Sequence, residues 1–356
     1  MLDVINCRKE QLRHVLMKKR RSVHLVGSIP LTKSADVFDL VGKYLRNSCQ
    51  RVPDGETGVR LNWIGWQKNI FAQQPALVQC KFKERDYQLN APYALSKGKS
   101  TKDIKFGILG FAEEAILSHK IFSQKQDAGI LSPKSKFLIS IPTAFAPVYS
   151  FISYEFQEVI YPLYEEAIIN EVKYIFERLD PETIAIQWDV ATEMSIFEKV
   201  YKATFDDEWD ILISRLAKLG ETIPAQAELG YHLCYGSMNN QHWKEPEDLS
   251  TCIRTLNELK AQIDRKINFI HLPVPINRKD EEYFKPLTKW ETEENQDFFL
   301  GLIHEEDGFA GNLARIGTAS KYLEHFGIST ECGMGRRLPE VIPRWMELMA
   351  NLSENT

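Results

Sequence analysis

Two stretches of this chain carry residues whose types and spacing suit metal chemistry. They are Tyr231-His232-Leu233-Cys234-Tyr235 and, far downstream, Thr330-Glu331-Cys332-Gly333-Met334-Gly335. His-x-Cys at the end of an apolar run sets an imidazole and a thiolate side by side on one strand end. Those are the two ligand types that a borderline-soft Zn²⁺ prefers. Cys332, again just past a short apolar run, can close the site from another strand. The spacing therefore reads as a zinc–thiolate site at the mouth of a barrel, where a thiol is activated. The plainer alternative is a set of ordinary buried cysteines, since free Cys is among the most buried residue types.

The elements that must position these residues come from a chain of 356 residues, net charge -5 and 44% hydrophobic. That is enough for one large domain or two ordinary ones. A mildly acidic balance argues against nucleic acid or an anionic membrane as the main partner. The basic run Lys18-Lys19-Arg20-Arg21 reads as a solvated helix end. The first residues are charged and lack the apolar core of a signal peptide, and no stretch is long enough to span a membrane. The cysteines, Cys7, Cys49, Cys80, Cys234, Cys252 and Cys332, form no CxxC pair. That fits a reducing cytoplasm better than a disulfide framework.

Apolar spacing predicts an amphipathic opening helix over residues 1–20, part of an N-terminal helical extension at 1–21. A barrel domain then occupies 22–356. Strands are expected at 22–28, 51–56, 136–141, 183–188, 225–231, 267–270, 298–303 and 328–331, most of them followed by a helix. Ser34 is a candidate N-cap for the first of these helices, at 34–45. A Trp-rich helix (Trp63, Trp66) is expected behind the second strand. Residues 75–135, rich in Lys, Gln, Ser and Gly, read as an insertion between strands 2 and 3, with one helix near 111–122. Its role is either a peripheral cover or a lid over the site. Such β-then-α alternation is the pattern of an α/β protein, a single-domain (β/α)8 TIM barrel. A doubly wound sheet fits less well, because Gly27-Ser28-Ile29-Pro30 lacks the remaining glycines of a dinucleotide loop.

Active sites of such barrels lie on loops at the carboxyl ends of the strands. The residues found there are Gly27-Ser28, Glu56, Thr143, Asp189, His232 with Cys234, His271, His304 and Cys332. Almost all are metal ligands, acid/base groups or hydrogen-bonding groups. Each has a plainer reading too. Asp189 could cap a helix, Glu56 could sit in a first helical turn, and His271 and His304 could be satisfied core histidines. His24 and His325 are assigned to structure. His14, His119 and His242 are assigned to the surface, with His242 close enough to Cys234 in sequence to be a reserve ligand.

Taken together these residues resemble cobalamin-independent methionine synthase, whose catalytic half is a zinc-bearing (β/α)8 barrel. His232-Leu233-Cys234-Tyr235 is similar to the family's His-Met-Cys-Tyr, and Cys332-Gly333 to its Asp-Cys-Gly. Val26-Gly27-Ser28-Ile29-Pro30 resembles its Ile-Gly-Ser-Phe-Pro, which contacts the homocysteine carboxylate. Gly55-Glu56 with Arg60 resembles its Gly-Glu…Arg, whose Glu binds substrate. Ile186-Gln187-Trp188-Asp189 resembles its Ile-Gln-Ile-Asp-Glu, whose Asp holds the substrate amino group. Ile303-His304 resembles the Asp-Ile-His that supplies a catalytic histidine. The likeness runs in consistent order over residues 22–350. It departs in lacking the family's N-terminal half, in placing His271 where the family has a glutamate ligand, and in Glu305-Glu306-Asp307 and Ile141-Pro142-Thr143-Ala144-Phe145. These departures argue against methyl-folate as the donor.

The resemblance implies a cytoplasmic zinc-dependent methyl- or alkyltransferase acting to or from a small, homocysteine-like thiol. Its expected metal ligands are His232, Cys234, Cys332 and His271. Its expected acid/base and substrate-orienting residues are His304 and Asp189, and its expected substrate contacts are Gly27, Ser28, Glu56, Asp189 and Thr143. His271 in place of a glutamate makes the metal site neutral, which implies a more activated electrophile or the reverse, C–S-breaking direction. The alternatives are a zinc lyase or hydrolase that needs no thiol, and a barrel that binds without catalysis. Uroporphyrinogen decarboxylase-type barrels, which lack the His-x-Cys…Cys set, rank below these.

Overall fold

A computed structural model describes residues 20–81, 91–238, 241–291 and 293–356. The expected opening helix lies outside them, apart from Arg20 and Arg21, which are not helical. Eight parallel strands form one sheet. They are β1 (Val23–His24), β2 (Arg51–Pro53), β3 (Lys136–Pro142), β4 (Ile184–Val190), β5 (Glu228–Leu233), β6 (Phe269–Pro273), β7 (Asp297–Ile303) and β8 (Gly327–Thr330). Their order around the sheet is β1-β8-β7-β6-β5-β4-β3-β2. A parallel bridge between Val23 and Cys49 and a Val23 N–H to Ser48 carbonyl bond of 2.8 Å draw β1 back beside β2. The result is a nearly closed TIM-type barrel, as the alternation predicts.

Helices follow the strands: α1 (Ser34–Tyr44), α2 (Phe111–Asp127), α3 (Gln157–Arg178), α4 (Glu208–Glu221), α5 (Ser250–Gln262), α6 (Glu281–Phe284), α7 (Gly308–Ala319) and α8 (Ile342–Asn355). No helix among the described residues is long and apolar enough to cross a membrane. Ser34 proves to be the first helical residue and not the cap; its hydroxyl lies 3.3 Å from Ser118 Oγ. Within residues 75–135, Leu77–Gln79 and Tyr93–Leu95 pair as an antiparallel ribbon, and α2 packs between α1 and α3 as the barrel's own second helix. The expected Trp-rich helix begins as two 3₁₀ turns, Gly58–Asn62 and Gly65–Gln67, broken at Trp63, whose φ is 45°, and becomes α-helical only at Lys68–Ala72.

Alternation along each strand decides what faces inward. Ile184, Ile186, Trp188 and Val190 of β4 pack outward in the main core, while Ala185 joins Leu138, Phe269 and Phe299 in a small cluster inside the barrel. Gly230 makes room for one of these rings: a Cβ there would lie 2.2 Å from Phe269. Arg51 reaches Glu228 Oε2 at 2.5 Å and Asp297 Oδ2 at 2.9 Å, with its guanidinium 4.4 Å over the Phe269 ring. This packed floor leaves the other inward-facing side chains, Gln187, Asp189, His232 and His271, to line the carboxyl-terminal end.

Candidate metal centre and substrate pocket

His232, the last residue but one of β5, faces inward, and period-two alternation puts Cys234 on the same face just beyond the strand. Cys332 arrives from beyond β8. One ring nitrogen of His232 and the two sulfurs all lie within 4.8 Å of one another. The Sγ atoms are 3.5 Å apart. A disulfide needs about 2.05 Å, whereas two thiolates on a tetrahedral zinc sit roughly 3.8 Å apart, given Zn–S near 2.3 Å. The thiol of Cys234 bonds to the Cys332 sulfur, which holds Cys332 well below the ordinary thiol range and pushes Cys234 up. His232 Nε2 is buried and makes no well-aligned hydrogen bond, while the imidazole helps to lower the Cys332 thiol beside it. A buried imidazole nitrogen beside two sulfurs that share one proton is a donor set that fits Zn²⁺.

The fourth expected ligand is placed otherwise. His271 is fully buried, its Nδ1 lies 2.6 Å from His232 Nδ1, and its Nε2 lies 3.1 Å from the Thr330 carbonyl. Both ring nitrogens are thus engaged, and His271 stands outside the three-residue cluster. Direct register is the reason: His232 and His271 are Cα partners on adjacent strands, so their rings meet side by side.

The cluster opens on a cavity of about 430 Å³ whose lining includes Gly27, Ser28, Glu56 and Asp189 with His232, Cys234 and Cys332. Glu56 follows β2 in a left-handed conformation, φ 46°, which an L residue holds at a cost of roughly 1–2 kcal/mol. Asp54 secures the turn: Oδ1 accepts from the Glu56 N–H at 2.8 Å, and Oδ2 accepts from Arg60 and Ser118, each at 2.7 Å. The Glu56 carboxyl passes so close to Gly27 that a Cβ there would lie 2.3 Å from Oε1. Burial, then the charges of Asp189 and Asp54, hold Glu56 well above the usual carboxylate range. Burial likewise pushes Asp189 up to about 7, against the bond it accepts from Gln187 Nε2 at 2.9 Å. Gln187 is itself fixed by His24 Nε2 at 2.8 Å and the Val26 carbonyl at 2.6 Å. Two carboxyl groups crowded into one cavity are complementary to a cation such as a substrate ammonium.

Two expected site residues lie elsewhere. Thr143 is buried at the end of β3 beside the Glu193 carboxyl, outside the cavity lining. His304 lines a second cavity of about 330 Å³, with His242, Glu245 and Glu331. Its backbone N–H donates to Asn312 Oδ1 and its Nε2 bonds to the Val274 carbonyl, both at 2.8 Å, and burial lowers its pKa. The two cavities meet at Gly236, Ser237, Cys332 and Gly333. His242 is neither a surface residue nor a reserve ligand. It bridges Glu331 at 3.1 Å and Glu245 at 2.9 Å, and these carboxylates outweigh burial and raise its pKa to about 9. His119 is partly buried, its ring 5.6 Å from that of Phe137. Sequence reasoning missed the aromatic wall of the first cavity, Trp63, Tyr149, Tyr201 and Trp243. These residues come from four separate segments, one after each of β2, β3, β4 and β5, with Tyr149 in the short helix Phe145–Phe151, and share no local pattern. Gln187 carried a signal, a polar residue at an inward position of an apolar strand.

By sequence, no family profile and no curated protein matches this chain. Its fold does match known structures. A Listeria monocytogenes protein provisionally named a vitamin B12-independent methionine synthase superposes with a TM-score of 0.57 at 14% identity, over 93% of this chain and 96% of that one. A B12-independent methionine synthase from a Shewanella species, in complex with selenomethionine, superposes with a TM-score of 0.54 at 15% identity, over 94% and 97%. At such identities the likeness is one of fold.

Proposed function

We propose that this chain is a zinc-dependent enzyme that transfers a methyl or other alkyl group to or from a small thiol bearing an amino group. The observation that carries the reading is the His232–Cys234–Cys332 donor set, within 4.8 Å, on a cavity shared with Glu56 and Asp189. The Shewanella barrel, similar in fold and bound to a selenoether amino acid, supports it. Zinc held by His232, Cys234 and Cys332 would supply the means to keep a substrate thiol as thiolate at neutral pH.

The chain's own groups do the rest. Glu56 and Asp189 receive the substrate ammonium, with Gln187 and Asp54 fixing their directions. Ser28, held where Gly333 and Gly335 lack side chains, binds the substrate carboxylate. Fixing the thiol this way converts an encounter into an oriented, near-unimolecular step. His304, in the adjoining cavity, exchanges a proton with the group that leaves or enters opposite the sulfur. The cavity is of the size that takes a small molecule, and its aromatic wall gives the second reactant an apolar seat.

Metal analysis of freshly purified protein tests the reading, together with a screen for alkylation of homocysteine. One equivalent of zinc, lost in Cys234→Ser and in Cys332→Ser, is expected. Metal-free wild-type protein that alkylates no thiol would sink it.

A further inference from the structure

His271 occupies a place where it could be a ligand, yet both of its ring nitrogens are engaged elsewhere. Its Nε2, 3.1 Å from the Thr330 carbonyl, can only donate there, because a carbonyl oxygen accepts. In a neutral ring Nδ1 is then an acceptor. Neutrality follows from burial: His271 is 0% exposed, and its neighbours are the rings of His232 and His24, 4.7 and 5.5 Å away between centroids. An imidazolium among imidazoles, with no carboxylate bonded to it, would be a buried uncompensated charge costing several kcal/mol. The 2.6 Å contact between the Nδ1 atoms therefore runs from His232 Nδ1–H to His271 Nδ1. His232, with its proton on Nδ1, presents a bare lone pair at Nε2, the buried ring nitrogen that the His271 contact leaves free.

Resting on the zinc reading above, we infer that His271 is a positioning residue that stays off the metal and fixes His232 as an Nε2 ligand. The metal site is then a three-ligand site with one position kept for the sulfur of the substrate. The chain Thr330 carbonyl–His271–His232 is the outer support that metal-bound histidines require, and three protein ligands with an open fourth position mark catalytic and not structural zinc. Two thiolates balance the charge of Zn²⁺, so an incoming thiolate meets no net repulsion at the open position, where it is a far stronger donor than a neutral thioether. The site therefore discriminates between a thiol and its alkylated product by donor strength.

Cobalt binding to the full chain tests this. Affinity is measured by chelator competition and coordination by the visible and thiolate-to-cobalt bands, with thermal melting as a check on folding. Wild type should bind one equivalent, and added 2-mercaptoethanol should strengthen the thiolate bands. His271→Ala should keep one-to-one binding with affinity lower by about 10–100-fold, the usual effect of removing an outer partner. His271→Asn, whose amide oxygen can accept from His232 Nδ1–H, should recover most of it, while His232→Ala abolishes binding. Loss of binding in His271→Ala and His271→Asn as complete as in His232→Ala overturns the inference and leaves the zinc reading standing. Bands in wild type that do not respond to 2-mercaptoethanol also overturn it. A folded wild type that takes up no cobalt removes both.

Discussion

Glu193 begins a prediction that needs no knowledge of the substrate. It sits in the short helix Thr192–Phe197 directly after β4, 2% exposed, with Oε2 buried and unpartnered. The nearby guanidinium of Arg215 is committed to Glu158 at 2.9 Å and to the Tyr161 ring at 3.8 Å. Burial therefore dominates and pushes the Glu193 carboxyl from 4.5 up to about 7, against smaller contributions from Thr143 and Arg215. The folded protein holds this proton more tightly than the unfolded chain does. Its contribution to stability is thus fully present below pH 4.5 and is lost as pH rises through about 7. Each pH unit of that span is worth about 1.36 kcal/mol, so the whole is roughly 3 kcal/mol. Urea unfolding of wild type and Glu193→Gln between pH 4.5 and 8 measures it. The variant should gain roughly 3 kcal/mol on wild type across the range, with the gain levelling off once Glu193 is ionised in both states. Asp189 titrates in the same window, but it is present in both proteins and cancels in the difference. Stability curves that run parallel from acid to alkali would refute the assignment of a buried, neutral Glu193.

Other outcomes follow from single contacts. Gly27→Ala places a Cβ 2.3 Å from Glu56 Oε1, so the carboxyl must retreat by about 1 Å to reach ordinary contact; the melting temperature should hardly change, while the preference for homocysteine over 4-mercaptobutyrate, which lacks the amino group, falls by up to about 100-fold. Gly230→Ala drives a methyl into the Phe269 ring at 2.2 Å and should cost about 1–3 kcal/mol in urea unfolding, with metal content unchanged. Gln187→Leu leaves His24 Nε2 and Asp189 Oδ1 without the amide that joins them; about 1–3 kcal/mol of stability should go, and homocysteine KM should rise more than kcat falls.

The sequence by itself determined the strands and what stands at their ends. Apolar runs of strand length, each stopped by a polar residue, specify a β/α barrel, because a parallel sheet buried on both faces needs continuous apolar strands. Alternation then sets His232 and Cys234 on one face whatever the rest of the chain does. Alternation does not say which inward residues meet. That depends on the stagger between strands and on where the barrel closes. His271 reads as a fourth ligand from its position at a strand end. Only its register with His232 turns the two rings toward each other, and only the Thr330 carbonyl decides which nitrogen carries the proton. His304 and Thr143 also end strands on cue, but His304 opens into a neighbouring cavity and Thr143 turns to Glu193. Ligand identity is a property of residue type and spacing. Ligand role is a property of hydrogen-bond direction between elements far apart in the chain, and that direction exists only once the barrel has closed.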